Sequence, residues 1–306
     1  MIDASILKTF YKKTIPYIWG YGFFCKIVRS TFSNSSFAWL SRLPVKPGLI
    51  VNVKFSQGNI ILTKPERCSI AKKFFWTDGK IQPKEDELAI EYFVKLAKKS
   101  KYILDIGSNS GIFSLISSKA NPKAKVYAYD ILPEAFHILI DNLIINNLMD
   151  SITPYLKGVG KKSIFHAPIN NITSEMPTSL KLDQDYSGIN SVEVEVKTLD
   201  DIFHDAQIDS QACIKIDVEG FECDIFDNSK WVLQEHRPYF LCEVLTTAPN
   251  YLKYNNLLSN NNYNKYLITD DELILYEDIV PNIRFKDWLF IPKEQSEEVL
   301  LHLNVK

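Results

Sequence analysis

The chain has 306 residues, 46% of them hydrophobic, with 35 lysines and arginines against 37 acids and a net charge of −2. That length supports one large core with an appendage, and the near-neutral balance argues against an extended nucleic-acid footprint. Lysines outnumber arginines 30 to 5, which disfavours a bidentate phosphate-reading surface, and five cysteines without a C-x-x-C pair fit a reducing cytoplasm better than a disulfide framework or a zinc site.

Taken in chain order, the first distinct segment is the uncharged aromatic run Thr14 to Cys25. It is too short to span a membrane, which takes about 20 apolar residues, and Pro16, Gly20 and Gly22 would interrupt a helix. Without a basic leader and a small-residue cleavage site it does not read as a signal peptide. The first expectation is packing against the rest of the chain or a second subunit. The alternative is interfacial contact with a lipid-linked acceptor, with Lys8, Lys12, Lys13, Lys26 and Arg29 flanking the aromatics. Residues 49–63 read as a hairpin, Leu49–Val53 and Ile60–Leu62 around the turn Ser56-Gln57-Gly58-Asn59. A helix follows from Pro83 to about Lys99, with acids Glu85, Asp86 and Glu87 near its start.

Residues 102–111, Tyr-Ile-Leu-Asp-Ile-Gly-Ser-Asn-Ser-Gly, form an apolar strand ending in an acid and then a two-glycine turn. Ile112 to Ile116 continues as a helix. Glycines at 107 and 111 let the chain reverse and bring bare backbone to a ligand, and the helix start offers unpaired N–H groups. A P-loop would need Gly-Lys-Ser/Thr, which the chain lacks. The dinucleotide fingerprint G-x-G-x-x-G fails twice, at Asn109 and Ile112. A carboxylate at Asp105 repels phosphate and suits a cationic amino group. The pattern therefore favours S-adenosyl-L-methionine, which carries an ammonium and a sulfonium and no phosphate, with Asp105, Gly107, Ser108, Asn109 and Gly111 as contacts.

Val126 to Asp130 is a second strand ending in an acid, where open α/β folds place a ribose-hydroxyl acceptor. Asp130, with Ile131 beside it, takes that role. Pro133 to Asn147 reads as a helix on which His137 is a surface or packing residue, and Ser151 to Leu156 as a third strand. Lys157-Gly158-Val159-Gly160 then turns where an adenine ring is contacted in this architecture, which makes Gly158 a candidate. Period-2 runs at Ser163–His166 and Val192–Val196 mark a β insertion over about 161–197, with a mobile middle near 170–188. Cys213 to Glu222 is an alternating strand, two carboxylates and a glycine, followed by a helix from Phe221 to about Leu233. The ends of parallel strands face the ligand crevice, so Asp217 and Glu219 point to the transferred group, while Glu222 divides between a first-turn charge and a functional acid. Strands near Tyr239–Leu245, at Tyr266–Thr269 or Leu273–Tyr276, and at Trp288–Ile291 complete the chain, the last two as an antiparallel hairpin.

Asp105-Ile106-Gly107-Ser108-Asn109-Ser110-Gly111, Asp130, Thr198-Leu199-Asp200, Lys215 through Glu222 and Arg237-Pro238 together resemble the FkbM family of S-adenosylmethionine-dependent methyltransferases, over roughly residues 85–292. The second strand departs from the family's Phe-Glu-Pro ending with Tyr129-Asp130-Ile131, keeping the carboxylate but shortening its reach. The reading is an α/β, doubly wound, mostly parallel seven-stranded sheet with a C-terminal antiparallel hairpin. An N-terminal helical and β-hairpin extension (residues 1–80) precedes the catalytic domain (81–306). In the family the segment before the first strand helps cover the cofactor, which would bring Trp76, Asp78 and Glu87 near the site.

The resemblance implies O-methylation of a hydroxyl on a sugar, a glycan or a small natural product. Asp217 is the candidate base or hydroxyl-orienting group, with Glu219 second and Glu243 third. No metal cluster is evident in the spacing, although Asp217 and Glu219 could share a divalent cation with a diol acceptor. A homo-oligomer is compatible with the sequence. Two other readings stand beside this one. An NAD-dependent oxidoreductase would need a third turn glycine and a Tyr-x-x-x-Lys pair, but position 255 after Tyr251 is Asn255 and Tyr11 lies outside the fold. The other is a cofactor-binding but inactive module.

Overall fold

The computed structural model describes residues 14–32, 40, 43–81, 84–169, 190–247 and 251–304. Lys8, Lys12, Lys13, Pro83 and the expected mobile stretch at 170–188 lie outside them.

Alternation along the strands builds the centre. In β3 (Tyr102–Ile106) every residue is buried, because β4 (Lys125–Asp130) and β9 (Ala212–Ile216) flank it in parallel and both faces are covered. Ile103 and Cys213 pack into one apolar cluster while Tyr102, Leu104, Ile106 and Ile214 pack into the other, as a period of two requires. The chain steps outward from β3 to β4 and β5 (Ile152–Leu156), then returns to β9 and β10 (Tyr239–Glu243) on the other side. The switch point of the sheet therefore lies between β3 and β9, at the carboxyl ends of both.

The sheet has eight strands, one more than expected, in the order β12 (Leu273–Tyr276), β11 (Tyr263–Ile268), β13 (Asp287–Pro292), β10, β9, β3, β4 and β5. Both candidate segments near the C-terminus are strands. β11 pairs antiparallel with β13, and β12 folds back onto β11 as the extra edge. β13 also runs antiparallel to β10, which closes the sheet as anticipated.

The N-terminal part shares the core of the sheet. Helix α1 (Tyr21–Phe32), hairpin β1 (Val51–Phe55) and β2 (Gly58–Leu62), and helix α2 (Ser69–Trp76) contribute to the same apolar cluster as α3 (Lys84–Lys99), α4 (Ile112–Ala120) and α5 (Pro133–Ile145). The hairpin turn is shorter than expected, with Gly58 already in β2 at φ 129°. Two asparagines of α5 hold β2: Asn146 exchanges bonds of 2.9 and 2.7 Å with the Ile61 N–H and carbonyl, and Asn142 Oδ1 accepts from Thr63 N at 2.7 Å.

The β insertion forms as a separate three-stranded sheet, β6 (Gly158–Val159), β7 (Ser163–Pro168) and β8 (Ser191–Lys197), ordered β6-β8-β7. Helix α6 (Leu199–Asp205) follows, capped by Thr198, whose Oγ1 accepts from Asp201 N at 3.0 Å. The single helix expected at 221–233 is instead α7 (Glu222–Asp227) and a separate turn of π-helix at Val232–His236. The Asp200 carboxylate accepts from Trp231 N and Val232 N at 3.3 and 3.0 Å, capping a second helix start. Arg237 follows at φ 52°, paired with Glu294 and donating to the Leu233 and Asn261 carbonyls. The Thr-Leu-Asp and Arg-Pro segments thus serve the frame. Helices α8 (Tyr251–Asn260) and α9 (Ser296–Leu303) complete the outer layer.

Candidate active site

The glycine turn is fixed from below and from both sides. Gly107 N and Ser108 N both donate to the Tyr129 carbonyl, at 3.0 and 2.9 Å. Gly107 has φ 75°, and a Cβ there would stand 1.8 Å from the Asp217 carbonyl oxygen, so no side chain fits. Its absence lets the β3 and β9 turns touch, and Asp217 N donates to the Ile106 carbonyl at 3.0 Å. Gly111, at φ 77°, packs against Leu139 and turns the chain into α4. It does not line the cleft.

The first two acids are bound to backbone. Asp105 is 1% exposed, and its Oδ2 accepts from Ser114 N at 3.0 Å and Ser114 Oγ at 2.7 Å. Burial raises its pKa despite those bonds. Asp130 Oδ2 accepts from Asn109 N and Oδ1 from Leu132 N, each at 2.8 Å, while burial pushes its pKa up to about 6. Asn109 takes φ 48° to reach that bond, and the Cys68 thiol donates to its Oδ1 at 3.6 Å. Cys68 Sγ in turn accepts from Ala71 N and starts α2. Ser108 Oγ is buried and has no partner.

Across the switch point the carboxylates meet one another. Lys215, 2% exposed, pairs in register with Asp105, lies 3.2 Å from Asp217 Oδ2 and sits 5.1 Å from the Phe113 ring centre. Burial alone would discharge it. The negative charges of Asp217 and Asp287, foremost, outweigh that effect and hold it charged, with its pKa raised. Asp217, Glu219 and Glu243 bring one carboxylate oxygen each within 4.8 Å of one another. Burial, with the negative charge of Asp217 adding to it, pushes Glu243 up to about 9, so Glu243 keeps its proton at neutral pH. Glu219, at φ 53°, is raised for the same two reasons, and burial takes Asp287 to about 6. Among the described residues this trio is the arrangement able to hold a shared proton or a cation. Glu222 stands apart: its Oε1 accepts from Gly220 N at 3.0 Å, it lines no part of the cleft, and burial raises it to about 7.

A cleft of about 470 Å³ joins the two sides. Asp105, Gly107, Ser108, Asn109, Asp130, Ile131, Gly158, Asp217 and Glu219 all line it. Trp76, Asp78 and Glu87 do not. Trp76 Nε1 donates to the Leu43 carbonyl and Asp78 pairs with Arg29, so both are engaged in the N-terminal packing. The segment before β3 reaches the cleft through Ser69 and Ile70 at the start of α2 instead. Lys215 and Phe113 complete the acidic side, while Lys157 and, from the insertion, Lys161 and Phe165 also line the cleft. Period-2 reading finds the insertion strands, but no local signal shows that Cys68 brings α2 under Asn109.

The methyltransferase FkbM domain model matches residues 105–265, just over half of the chain. Methyltransferase sdnD of Sordaria araneosa is 24% identical over 172 residues, and methyltransferase 1 of Beauveria bassiana (strain ARSEF 2860) is 22% identical over 161. These matches cover 47% and 46% of this chain, and 65% of the length of each relative. A crystal structure of methyltransferase FkbM from Methylobacillus flagellatus KT is 18% identical, with 63% of this chain and 43% of that one covered and a TM-score of 0.42. Because the domain model spans the glycine turn, the second acid and the whole Lys215–Glu222 segment, the chain belongs to the FkbM methyltransferase family.

Proposed function

We propose that this chain transfers a methyl group from S-adenosyl-L-methionine to a hydroxyl of a sugar, of a glycan or of a small natural product. The observation that carries the reading is the glycine turn flanked by buried acids: Asp105 and Asp130 make it hostile to phosphate, and Ser108 lines the cleft with a buried Oγ that has no protein partner. Gly107, Ser108 and Asn109 would hold the donor along the turn, Asp130 and Ile131 its ribose, and Gly158 its adenine. Both Asp130 oxygens already accept one backbone bond, and each has a second lone pair to offer. When bound, the donor supplies a methyl activated on a positively charged sulfur.

The residues of the chain then have two tasks. The first is to align the acceptor oxygen and exclude water, an orientation effect of about 7–11 kcal/mol in well-ordered systems. The second is to receive the hydroxyl proton, for which a positioned base contributes roughly 10²–10⁴-fold, on the order of 3–5 kcal/mol. Asp217 takes the proton in this reading, held by Lys215 on one side and by protonated Glu243 on the other. The choice of acceptor falls to the insertion rim, Lys161, Ser163 and Phe165.

Calorimetric titration with S-adenosylhomocysteine and then NAD tests the donor. Binding of the first and not the second is expected, and the reverse would return the oxidoreductase reading. Asp217→Asn should lower methyl incorporation on a sugar panel by about 10²–10⁴-fold while S-adenosylhomocysteine affinity stays within about threefold. Unchanged turnover would remove Asp217 as the base. Donor binding without turnover on any hydroxyl acceptor would favour an inactive module.

A further inference from the structure

Helix α1 has two apolar faces. Tyr21, Cys25 and Val28 are buried against the body, and Tyr21 OH donates to the Pro44 carbonyl at 2.9 Å. Arg29 pairs with Asp78 and lies 5.2 Å from the Phe75 ring centre, fixing the helix on α2. The opposite face carries Phe23 (70% exposed), Phe24 (46%) and Ile27 (48%). It continues into the preceding turn with Tyr17 (67%), Ile18 (52%) and Trp19 (98%). Phe23 and Ile27 stand four residues apart on one side of the helix, and Trp19 adds to them from the turn before it. A monomer in water seldom leaves so many large apolar side chains together in solvent.

The sequence that carries this stripe is one-sided in charge. Residues 1–65 hold nine lysines and arginines against a single acid, Asp3, a net charge of +8. The whole chain is −2, so the remaining 241 residues carry −10. Lys26 lies exposed on α1, and the Lys46 side chain runs along it beside Gly22. No described helix is long and apolar enough to cross a membrane.

We propose that the stripe formed by residues 17–27 rests on the surface of an anionic bilayer, with its aromatic side chains at headgroup depth and Lys26 and Lys46 beside it on the lipid phosphates. A second copy is a poorer occupant, because pairing through this face would bring Lys26 and Lys46 of both copies together. Nucleic acid is poorer too: the exposed groups are apolar, and only Arg29 and Arg42 of the nine cations are arginines, Arg29 being engaged by Asp78. The proposal is independent of the reaction assigned above.

Flotation of the full chain with vesicles tests it. Vesicles of phosphatidylcholine with roughly 30% phosphatidylglycerol should carry the protein at least about tenfold better than phosphatidylcholine alone. Trp19→Ser with Phe23→Ser should weaken partition about 10- to 100-fold, and Lys26→Gln about three- to fivefold, with unfolding temperatures unchanged. If the double variant does not fold, Trp19→Ser alone, at a side chain 98% exposed, serves the same purpose. Absence of flotation with anionic vesicles, or equal flotation of wild type and variant, would overturn the proposal. So would a dimer in light scattering that the substitutions dissolve, or nucleic-acid retention that they abolish.

Discussion

On the β3–β4 side of the cleft, Asp105 and Asp130 end on backbone N–H groups of Ser114, Asn109 and Leu132. On the β9–β10–β13 side, Asp217, Glu243 and Asp287 gather around one lysine. The first arrangement satisfies each carboxylate locally and leaves it little reason to move. The second leaves like charges close together, so protons are redistributed and the group remains sensitive to whatever enters. In the function proposed above, the first side holds the donor and the second moves the proton.

Gly107 joins the two halves, and breaking it should have the largest effect. Gly107→Ala forces a Cβ toward a carbonyl at 1.8 Å in a positive-φ position. A stability loss of about 3 kcal/mol or more is expected in urea unfolding. A loss within about 1 kcal/mol would mean that the two turns part easily.

Next comes the proton on Glu243. Its folded pKa of about 9 lies above the unfolded carboxyl value, so between these limits the folded chain keeps a proton that the unfolded chain releases. Stability therefore falls as pH rises through that window, and the Glu243 contribution is complete only below it. Glu243→Gln, which mimics the protonated form, should reduce the loss between about pH 7 and 9 by roughly 1–2 kcal/mol. Identical slopes would show that Glu243 is already ionised.

The smallest effect sharpens the rigid side. Ser108→Ala removes a hydroxyl that nothing in the protein uses, so thermal stability should hold. S-adenosylhomocysteine affinity should fall about three- to tenfold in calorimetry, the value of one hydrogen bond. Unchanged affinity would place the ligand elsewhere.

The rigid side was largely legible in the residues, because its signals are local. The acid, two glycines and helix of 105–116 are contiguous, and Asp130 follows one helix later. The reactive side is assembled across strands. Asp217 announces itself at a strand end, but Glu243 meets it only because β10 pairs with β9, and Asp287 because β13 turns antiparallel onto β10. Lys215 reads as one member of a motif, and only the register with Asp105 shows it as the shared counter-charge. The single helix expected at 221–233 failed for a similar reason: periodicity does not show Asp200 arriving to start a new turn at Trp231. Trp76 and Asp78 were misplaced because their partners, Leu43 and Arg29, lie more than thirty residues away.

The asparagine clamp on β2 has a consequence for solubility. A two-stranded ribbon offers its outer backbone as a template on which a foreign strand can add. Here the Ile61 and Thr63 groups that would recruit such a strand are occupied by amides from a helix, which cannot propagate a ladder. Asn142 and Asn146 thereby guard the ribbon against self-association, a task met elsewhere by charged edges or prolines.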